Sequence, residues 1–136
     1  MTKAQLLKLN TFALICKAEG KNESDYDVEK GKTAAEKEAI CLSRIRLIYK
    51  PFNGKKKADI ANTDQDKYYP LVWVEPDVSS PFGFRLSSSV CDCDRGYSVL
   101  GARPYLLDSD YVKPVFKMHK FEFEQLMHWS NMANQE

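Results

Sequence analysis

The chain has 136 residues, of which 43% are hydrophobic and 29% are charged. This composition is typical of one globular domain and excludes a mostly disordered chain. The 20 basic and 19 acidic residues give a formal net charge of +1, which argues against a protein that grips duplex DNA through many phosphates. The four cysteines come without an apolar run long enough for a signal peptide or a membrane span, which predicts a cytoplasmic protein with reduced thiols and no membrane partner.

The first 50 residues are predicted to be mainly helical. Within residues 3–18, apolar side chains recur at helical spacing, which predicts a short amphipathic helix. These side chains are Leu9, Phe12, Ala13 and Cys16. The polar segment from Gly20 to Lys32 has glycine at both ends and predicts a surface loop.

A second helix is predicted to begin after Thr33, which forms a capping-box signature with Glu36. It should end at Lys50, because the proline that follows disfavours helix at the preceding residue. Residues 51–67 are predicted to be a long loop, and such loops are often functional or mobile. The loop contains a lysine run, Lys55, Lys56 and Lys57. The run is a candidate anion clamp, and its alternative is a solvated loop tip.

Residues 68–106 are predicted to form an antiparallel meander of three or more strands. Aromatic and β-branched residues from Tyr68 to Glu75 predict the first strand. Alternating polarity from Phe82 to Val90 predicts the second strand, and Tyr97 to Leu106 predicts the third. Cys91 to Gly96 should then be the turn between the last two strands.

Residues 108–133 are predicted to form a long amphipathic helix with two apolar stripes. Two stripes indicate that the helix contacts the sheet and also either another helix or a partner chain. The second stripe is a candidate surface for a host protein or for a second copy of the chain, and consists of Met118, Phe121, Trp129 and Met132. The predicted fold is therefore α+β, a meander packed with two or three helices in a single domain of residues 1–136.

Three motifs and the helix after them carry a family resemblance. The motifs are DIANTDQDKYYPLV at residues 59–72, FGF at residues 82–84 and GAR at residues 101–103. From Asp59 onward the chain resembles a family of small uncharacterised proteins of Bacteroidetes, their phages and their mobile elements, which carries KYYPWF-, GFGF- and VGSR-like strands. Three residues depart from the family pattern: Leu71 and Val72 stand where Trp-Phe is usual, and Ala102 stands where Ser is usual. The resemblance implies an accessory protein of a phage or mobile element, acting in the host cytosol, and implies no reaction.

One face of the predicted sheet is the main candidate ligand surface. The strand pattern assigns one set of residues to the core: Val72, Val74, Phe82, Phe84, Leu86, Leu100, Ala102 and Leu106. If these residues face the core, the alternate positions share the opposite face. These positions hold Tyr69, Trp73, Arg85, Tyr97, Arg103 and Tyr105. Aromatic rings stack on bases and guanidinium groups bind phosphates, so this face predicts a binder of nucleotides or single-stranded nucleic acid. The alternative is that a helix covers the face and the arginines pair with Glu75 or reach water.

The sequence predicts no enzyme, no cofactor and no metal site. Cys91 and Cys93 supply at most half of a structural zinc site, and Glu124 with His128 is a weak pair of ligands. His119 lies on the main apolar stripe of the last helix, which favours a hydrogen-bonded, semi-buried histidine. The leading prediction is a non-catalytic binding or adaptor protein that occupies a host protein surface or sequesters a small anionic ligand. Nucleotide or single-stranded nucleic-acid binding is the alternative.

Overall fold

The computed structural model describes residues 1–94 and 103–136, without the side chains of residues 88–92 and 94. The described residues form five α-helices: α1 (Lys3–Leu6), α2 (Phe12–Ala18), α3 (Ala34–Asn53), α4 (Val112–Met118) and α5 (Lys120–Asn134). Three short 3-10 helices accompany them, at Glu23–Tyr26, Val28–Lys30 and Ser109–Tyr111. They also form two strands, β1 (Lys67–Pro76) and β2 (Phe84–Asp94). The mixed helix-and-sheet class is therefore confirmed. None of the described helices has the length and apolar content needed to cross a bilayer.

The core surrounds α3, which contacts α2 on one side and runs against α5. Cys41, Ile45, Ile48 and Phe52 recur every three or four residues along α3 and are all buried. This spacing places them on one helical face, where Ile45, Ile48 and Phe52 meet buried residues of α2, β2, α4 and α5 in a single cluster. Elements from both ends of the chain therefore share one hydrophobic core.

The predicted N-terminal helix is two short helices rather than one. The hydroxyl of Thr11 accepts a hydrogen bond from Leu14 N at 3.2 Å and caps α2, so the chain starts a new helix there. Leu9 lies in the break and is buried, whereas Ala13, which was predicted on the apolar face, is exposed.

The predicted start of α3 is confirmed, and its predicted end at Lys50 is wrong. Glu36 N donates to Thr33 Oγ1 at 3.1 Å, which is one half of the capping box. The helix continues through Pro51 to Asn53, because burial of Phe52 in the core stabilises a last turn that the proline weakens.

The sheet differs from the predicted meander. Among the described residues it has two antiparallel strands rather than three or more. β2 extends to Asp94, so Cys91 to Asp94, predicted as a turn, pairs with the start of β1. The register shifts by one residue between Leu71 and Trp73, a β-bulge.

The third predicted strand lies largely outside the described residues. At its described end, Leu106 forms an isolated antiparallel bridge with Tyr68. Tyr68 N donates to Leu106 O at 2.8 Å, and Leu106 N donates back to Tyr68 O at 2.9 Å. Residue 106 therefore pairs with β1, whereas a meander would place it beside β2. On the outer edge of β2, Leu86 N donates to the Glu124 carboxylate of α5 at 2.9 Å.

The predicted C-terminal helix is divided at His119 into α4 and α5. The backbone of His119 leaves the helical region, with φ −115° and ψ 30°. Its ring is buried, and Nε2 lies 2.8 Å from Leu9 O. This contact with the N-terminal segment explains a break that the continuous apolar pattern of the helix does not predict.

Candidate anion-binding site

The predicted aromatic and arginine face is divided between two places along β1. Tyr69 is half-buried near the start of the strand, and Trp73, farther along, is 49% exposed. Arg85 Nη2 lies 2.8 Å from Glu75 Oε2. This is the ion pair expected if the arginines of the face pair with Glu75 and do not bind a ligand. Along the strand, Tyr69 and Glu75 are separated by about 20 Å. Arg85 is therefore too far from Tyr69 to share a small ligand with it.

Arg103 lies at the Tyr69 end of the strand. Its Cζ is 4.1 Å from the centroid of the Tyr69 ring, a cation–π contact. The Tyr105 ring packs beside Tyr69 with 6.2 Å between centroids, and it is only 5% exposed. Tyr105 therefore supports the Tyr69–Arg103 pair and offers little of its own ring to a ligand.

Asn53 fixes this segment against the end of α3. Its Nδ2 donates to Tyr105 O at 2.9 Å, and its Oδ1 accepts from Leu107 N at 2.9 Å. Both ends of the amide are therefore bonded to the backbone that follows Arg103. The guanidinium group is held beside the last turns of α3 as a result.

A cavity of about 480 Å³ opens where Arg103, the end of α3 and the lysine run meet. We call it the basic cavity because five cationic side chains line it. They are Arg46, Lys50, Lys56, Lys57 and Arg103. Among the described lining residues Asp59 is the one carboxylate, so positive charges exceed negative ones by four there. Within the described parts of the chain, none of the five cations forms a salt bridge.

The electrostatics of the basic cavity favour an anion despite its position at a helix C-terminus. The exposed carbonyl groups at the end of α3 carry partial negative charge, which costs an anion about 0.3–1 kcal/mol. A hydrogen bond to one charged group contributes about 1.5–3 kcal/mol, and several cations are within the same cavity. Burial raises the pKa of Tyr49, another lining residue, so its hydroxyl stays protonated at neutral pH and adds no negative charge beside the cavity.

A buried ammonium group positions the lysine run. Lys67 is 1% exposed, and its Nζ donates to Asn62 O at 2.8 Å and to Gln65 O at 3.0 Å. The amide of Gln65 then donates to Lys57 O at 3.0 Å and accepts from Asp59 N at 2.8 Å. The loop that lines the basic cavity is therefore folded around Lys67, which reduces the entropy lost when it holds a ligand.

The three lysines of the predicted clamp do not all reach the same place. Lys56 and Lys57 line the basic cavity, whereas Lys55 lines a neighbouring cavity that includes Asp108. Lys56 lines both cavities. Two of the three predicted lysines are therefore at the candidate site.

The sequence interpretation missed Arg46 and Lys50 on α3. These cations are four residues apart in the predicted helix, a spacing that places two side chains next to each other on one helical face. That spacing is the signal that could have identified them. Of the other predicted ligand residues, Tyr97 lies outside the described residues.

The predicted interaction stripe is partly used inside the molecule. Met118 packs against the core, and Trp129 is half-buried with Lys37 Nζ 4.7 Å from its ring centroid. Phe121 and Met132 are 50% and 37% exposed. These last two residues are therefore the part of the stripe that a partner could contact.

The described thiols and histidines do not form a recognisable reactive centre. No three His, Cys, Asp or Glu side chains come close enough to hold a metal ion in the regions that the structure describes, which exclude the Cys91 side chain. Burial raises the pKa of the Cys16 thiol, and that of Cys41 to about 11. Both thiols are therefore protonated at neutral pH, which makes them poor nucleophiles.

Comparison with known proteins assigns no family to the chain. No protein-family model, no curated protein and no solved structure matches it. The resemblance to proteins of phages and mobile elements therefore stays a prediction. The basic cavity is the feature from which a function can be inferred.

Proposed function

We propose that this protein binds a small phosphorylated ligand in the basic cavity and does not convert it. The observation that carries the proposal is the group of five cations in the described lining, which includes a single carboxylate and shows no salt bridge from the cations to any described residue. Clefts lined by one sign of charge concentrate oppositely charged ligands. Sequestration of such a ligand would suit the accessory role that the family resemblance implies.

The size of the basic cavity supports a small molecule. Its volume of about 480 Å³ lies within the range of roughly 300–1,000 Å³ that is usual for small-molecule sites. The cations come from three separate segments: α3, the lysine run and the segment at Arg103. A ligand held from three sides is fixed in position, which a flat basic surface would not achieve.

A single-stranded nucleic acid has less support than a small ligand. Among the described rings of the predicted platform, Trp73 is exposed, Tyr105 is buried and Tyr69 has Arg103 over it. Stacking contributes about 1–3 kcal/mol per base, so a strand needs several free rings in series. A nucleotide that uses the basic cavity for its phosphates remains within the proposed ligand class.

Charge reversal at Lys57 tests the proposal, with charge reversal at Lys55 as the matched control. The two lysines belong to the same run, but Lys57 lines the basic cavity and Lys55 does not. We expect K57E to weaken pyrophosphate binding at least tenfold, the equivalent of about 1.4 kcal/mol. K55E should change the dissociation constant less than threefold. Isothermal titration calorimetry at low salt measures both.

Salt dependence adds a second readout to the same titration. Affinity for pyrophosphate should fall as the salt concentration rises, because exposed charges are screened. Equal weakening by K57E and K55E would show that the anion responds to the general charge of the loop and not to the cavity. Absence of binding by the wild-type protein at low salt would refute the proposal.

A second candidate function is association through the exposed part of α5. The Phe121 ring lies tilted against Phe82 with 5.7 Å between ring centroids, and the Phe82 and His128 rings stack at 5.0 Å. This aromatic cluster leaves Phe121 half exposed, as expected at the centre of a protein contact. A second copy of the chain is the simplest partner, because a symmetric dimer uses the same patch twice.

Light scattering after size-exclusion chromatography tests this second candidate. We expect the apparent mass to rise from monomer to dimer with concentration, and F121S to remain a monomer over the same range. V78S is the control, because Val78 is a fully exposed apolar residue in the turn between the strands and is not a member of the aromatic cluster. A wild-type protein that stays monomeric throughout would rule out self-association through Phe121.

A further inference from the structure

A second cavity, of about 300 Å³, adjoins the basic cavity between α3, α5 and the sheet. We call it the apolar groove because most of its walls are hydrophobic. Those walls include Leu42, Ile45, Val72, Leu86, Leu126 and Met127. Tyr49, Arg103 and Pro104 line both cavities, so the two cavities adjoin at these three residues.

The two ends of the apolar groove differ in charge. Arg103 is cationic and lies at the junction with the basic cavity, whereas Glu38 lies toward the other end of α3. From Tyr49 at the junction to Glu38, the helix rises about 16 Å. A ligand that occupies both cavities must therefore place its negative group beyond Arg103 and its uncharged part along the groove toward Glu38.

The dimensions of the apolar groove favour a narrow occupant. Its volume of about 300 Å³ is at the lower limit of the usual range for small-molecule sites, roughly 300–1,000 Å³. A helix of a partner protein is about 10–12 Å wide with its side chains. A single hydrocarbon chain is much thinner and can lie between α3 and α5.

We infer that the ligand is an amphiphilic anion, in which a phosphate head is joined to one alkyl or acyl chain. The head would occupy the basic cavity and the chain would occupy the apolar groove, so the inference rests on the proposed function. Hydrophobic walls and an adjacent group of cations are what such a ligand requires, and both features lie beside Arg103. Each methylene that the groove removes from water raises affinity about fourfold at full burial.

A series of alkyl phosphates tests the inference, from methyl phosphate through butyl and hexyl to octyl phosphate. Titration calorimetry below the aggregation concentration of each compound gives the affinity as a function of chain length. We expect octyl phosphate to bind the wild-type protein at least thirtyfold more tightly than methyl phosphate. This increase in affinity is smaller than full burial of the chain would give, because the groove is open to solvent.

Two variants separate the groove from the basic cavity. Leu42 lines the groove on α3. We expect L42Q to lower the ratio of octyl phosphate affinity to methyl phosphate affinity at least threefold, and to leave the affinity for methyl phosphate unchanged. I40Q is the matched control, because Ile40 is a half-buried residue of the same helix that does not line the groove. K57E should weaken every member of the series by the same factor. Circular dichroism and thermal unfolding check that each variant is folded.

The outcomes distinguish the inference from the proposed function. Equal affinity for methyl and octyl phosphate, both weakened by K57E, would overturn the amphiphile and leave phosphate binding in place. If L42Q and I40Q reduce the increase in affinity with chain length equally, the amphiphile is also overturned, because the groove would then not hold the chain. If no member of the series binds, the basic cavity itself is not an anion site, and both proposals fail.

Discussion

His119 connects the beginning of the chain to its end through one hydrogen bond. Its Nε2 lies 2.8 Å from Leu9 O, and because a carbonyl only accepts, Nε2 carries the proton. Nδ1 is buried and has no partner among the described residues, so a second proton would be an unsatisfied donor. Burial accordingly lowers the pKa of His119 from its ordinary value of 6.5.

The lowered pKa of His119 predicts a loss of stability in mild acid. Between the ordinary pKa of 6.5 and the lower pKa of the folded state, the unfolded chain binds more protons, so the free energy of unfolding falls as the pH falls. The contribution of neutral His119 to the free energy of unfolding is fully present above pH 6.5 and is lost as the pH falls through the folded-state pKa. We expect H119Q to lack this contribution, because glutamine can donate to Leu9 O but does not titrate. Urea unfolding from pH 7.5 to 5 measures the difference.

His128 provides the control for this titration. It is the other histidine of the chain and is half-buried against Phe82. H128Q should keep the steeper pH dependence of the wild-type protein. If the wild-type and H119Q curves stay parallel from pH 7.5 to 5, His119 does not resist protonation and this account of its burial is wrong.

At the scale of the elements, the features predicted correctly are those that neighbouring residues determine. The capping box of Thr33 and Glu36 requires only residues three positions apart, and it forms. The first strand is set by its run of aromatic and β-branched residues, and β1 begins and ends within one residue of its predicted bounds. A local pattern of this kind does not depend on how distant segments pack.

The features that the sequence did not predict depend on contacts between distant segments. The break at His119 follows from its bond to Leu9, which is more than a hundred residues away. The strand β2 extends past Val90 because Lys67 to Pro70 pair with it. In both places tertiary contacts override a local pattern that is consistent with another structure.

The candidate site shows the same division. Lys56, Lys57 and Arg103 could be proposed from their residue types, since cations suit anions in any fold. The sequence could not predict that these residues lie beside Arg46 and Lys50, because this arrangement requires the segment after Arg103 to lie against the end of α3. The Asn53 amide makes that contact, and no spacing in the sequence indicates its partners.

At the scale of the whole molecule, Arg44 joins three segments that are distant in sequence. Its Cζ lies 3.8 Å from the centroid of the Phe12 ring, and its Nη1 donates to Tyr26 O at 2.9 Å. Its Nη2 is 3.7 Å from the carboxylate of Glu122 in α5. The Arg44 and Glu122 side chains are 13% and 11% exposed, so water screens their interaction only weakly.

Loss of Arg44 should therefore destabilise the fold chiefly by leaving the charge of Glu122 buried without a cation. We expect R44M to lower the free energy of unfolding by about 3 kcal/mol at pH 7, and R44M/E122Q to recover at least a third of that loss. Burial raises the pKa of Glu122 from its ordinary 4.5, and stability from a raised pKa is present at low pH and lost as the pH rises. The deficit of R44M relative to the double variant should therefore shrink as the pH falls toward 4.5. Urea unfolding of the wild-type protein, both single variants and the double variant measures the coupling energy between Arg44 and Glu122. If R44M and R44M/E122Q lose the same free energy of unfolding at every pH, Arg44 acts through Phe12 and Tyr26 alone.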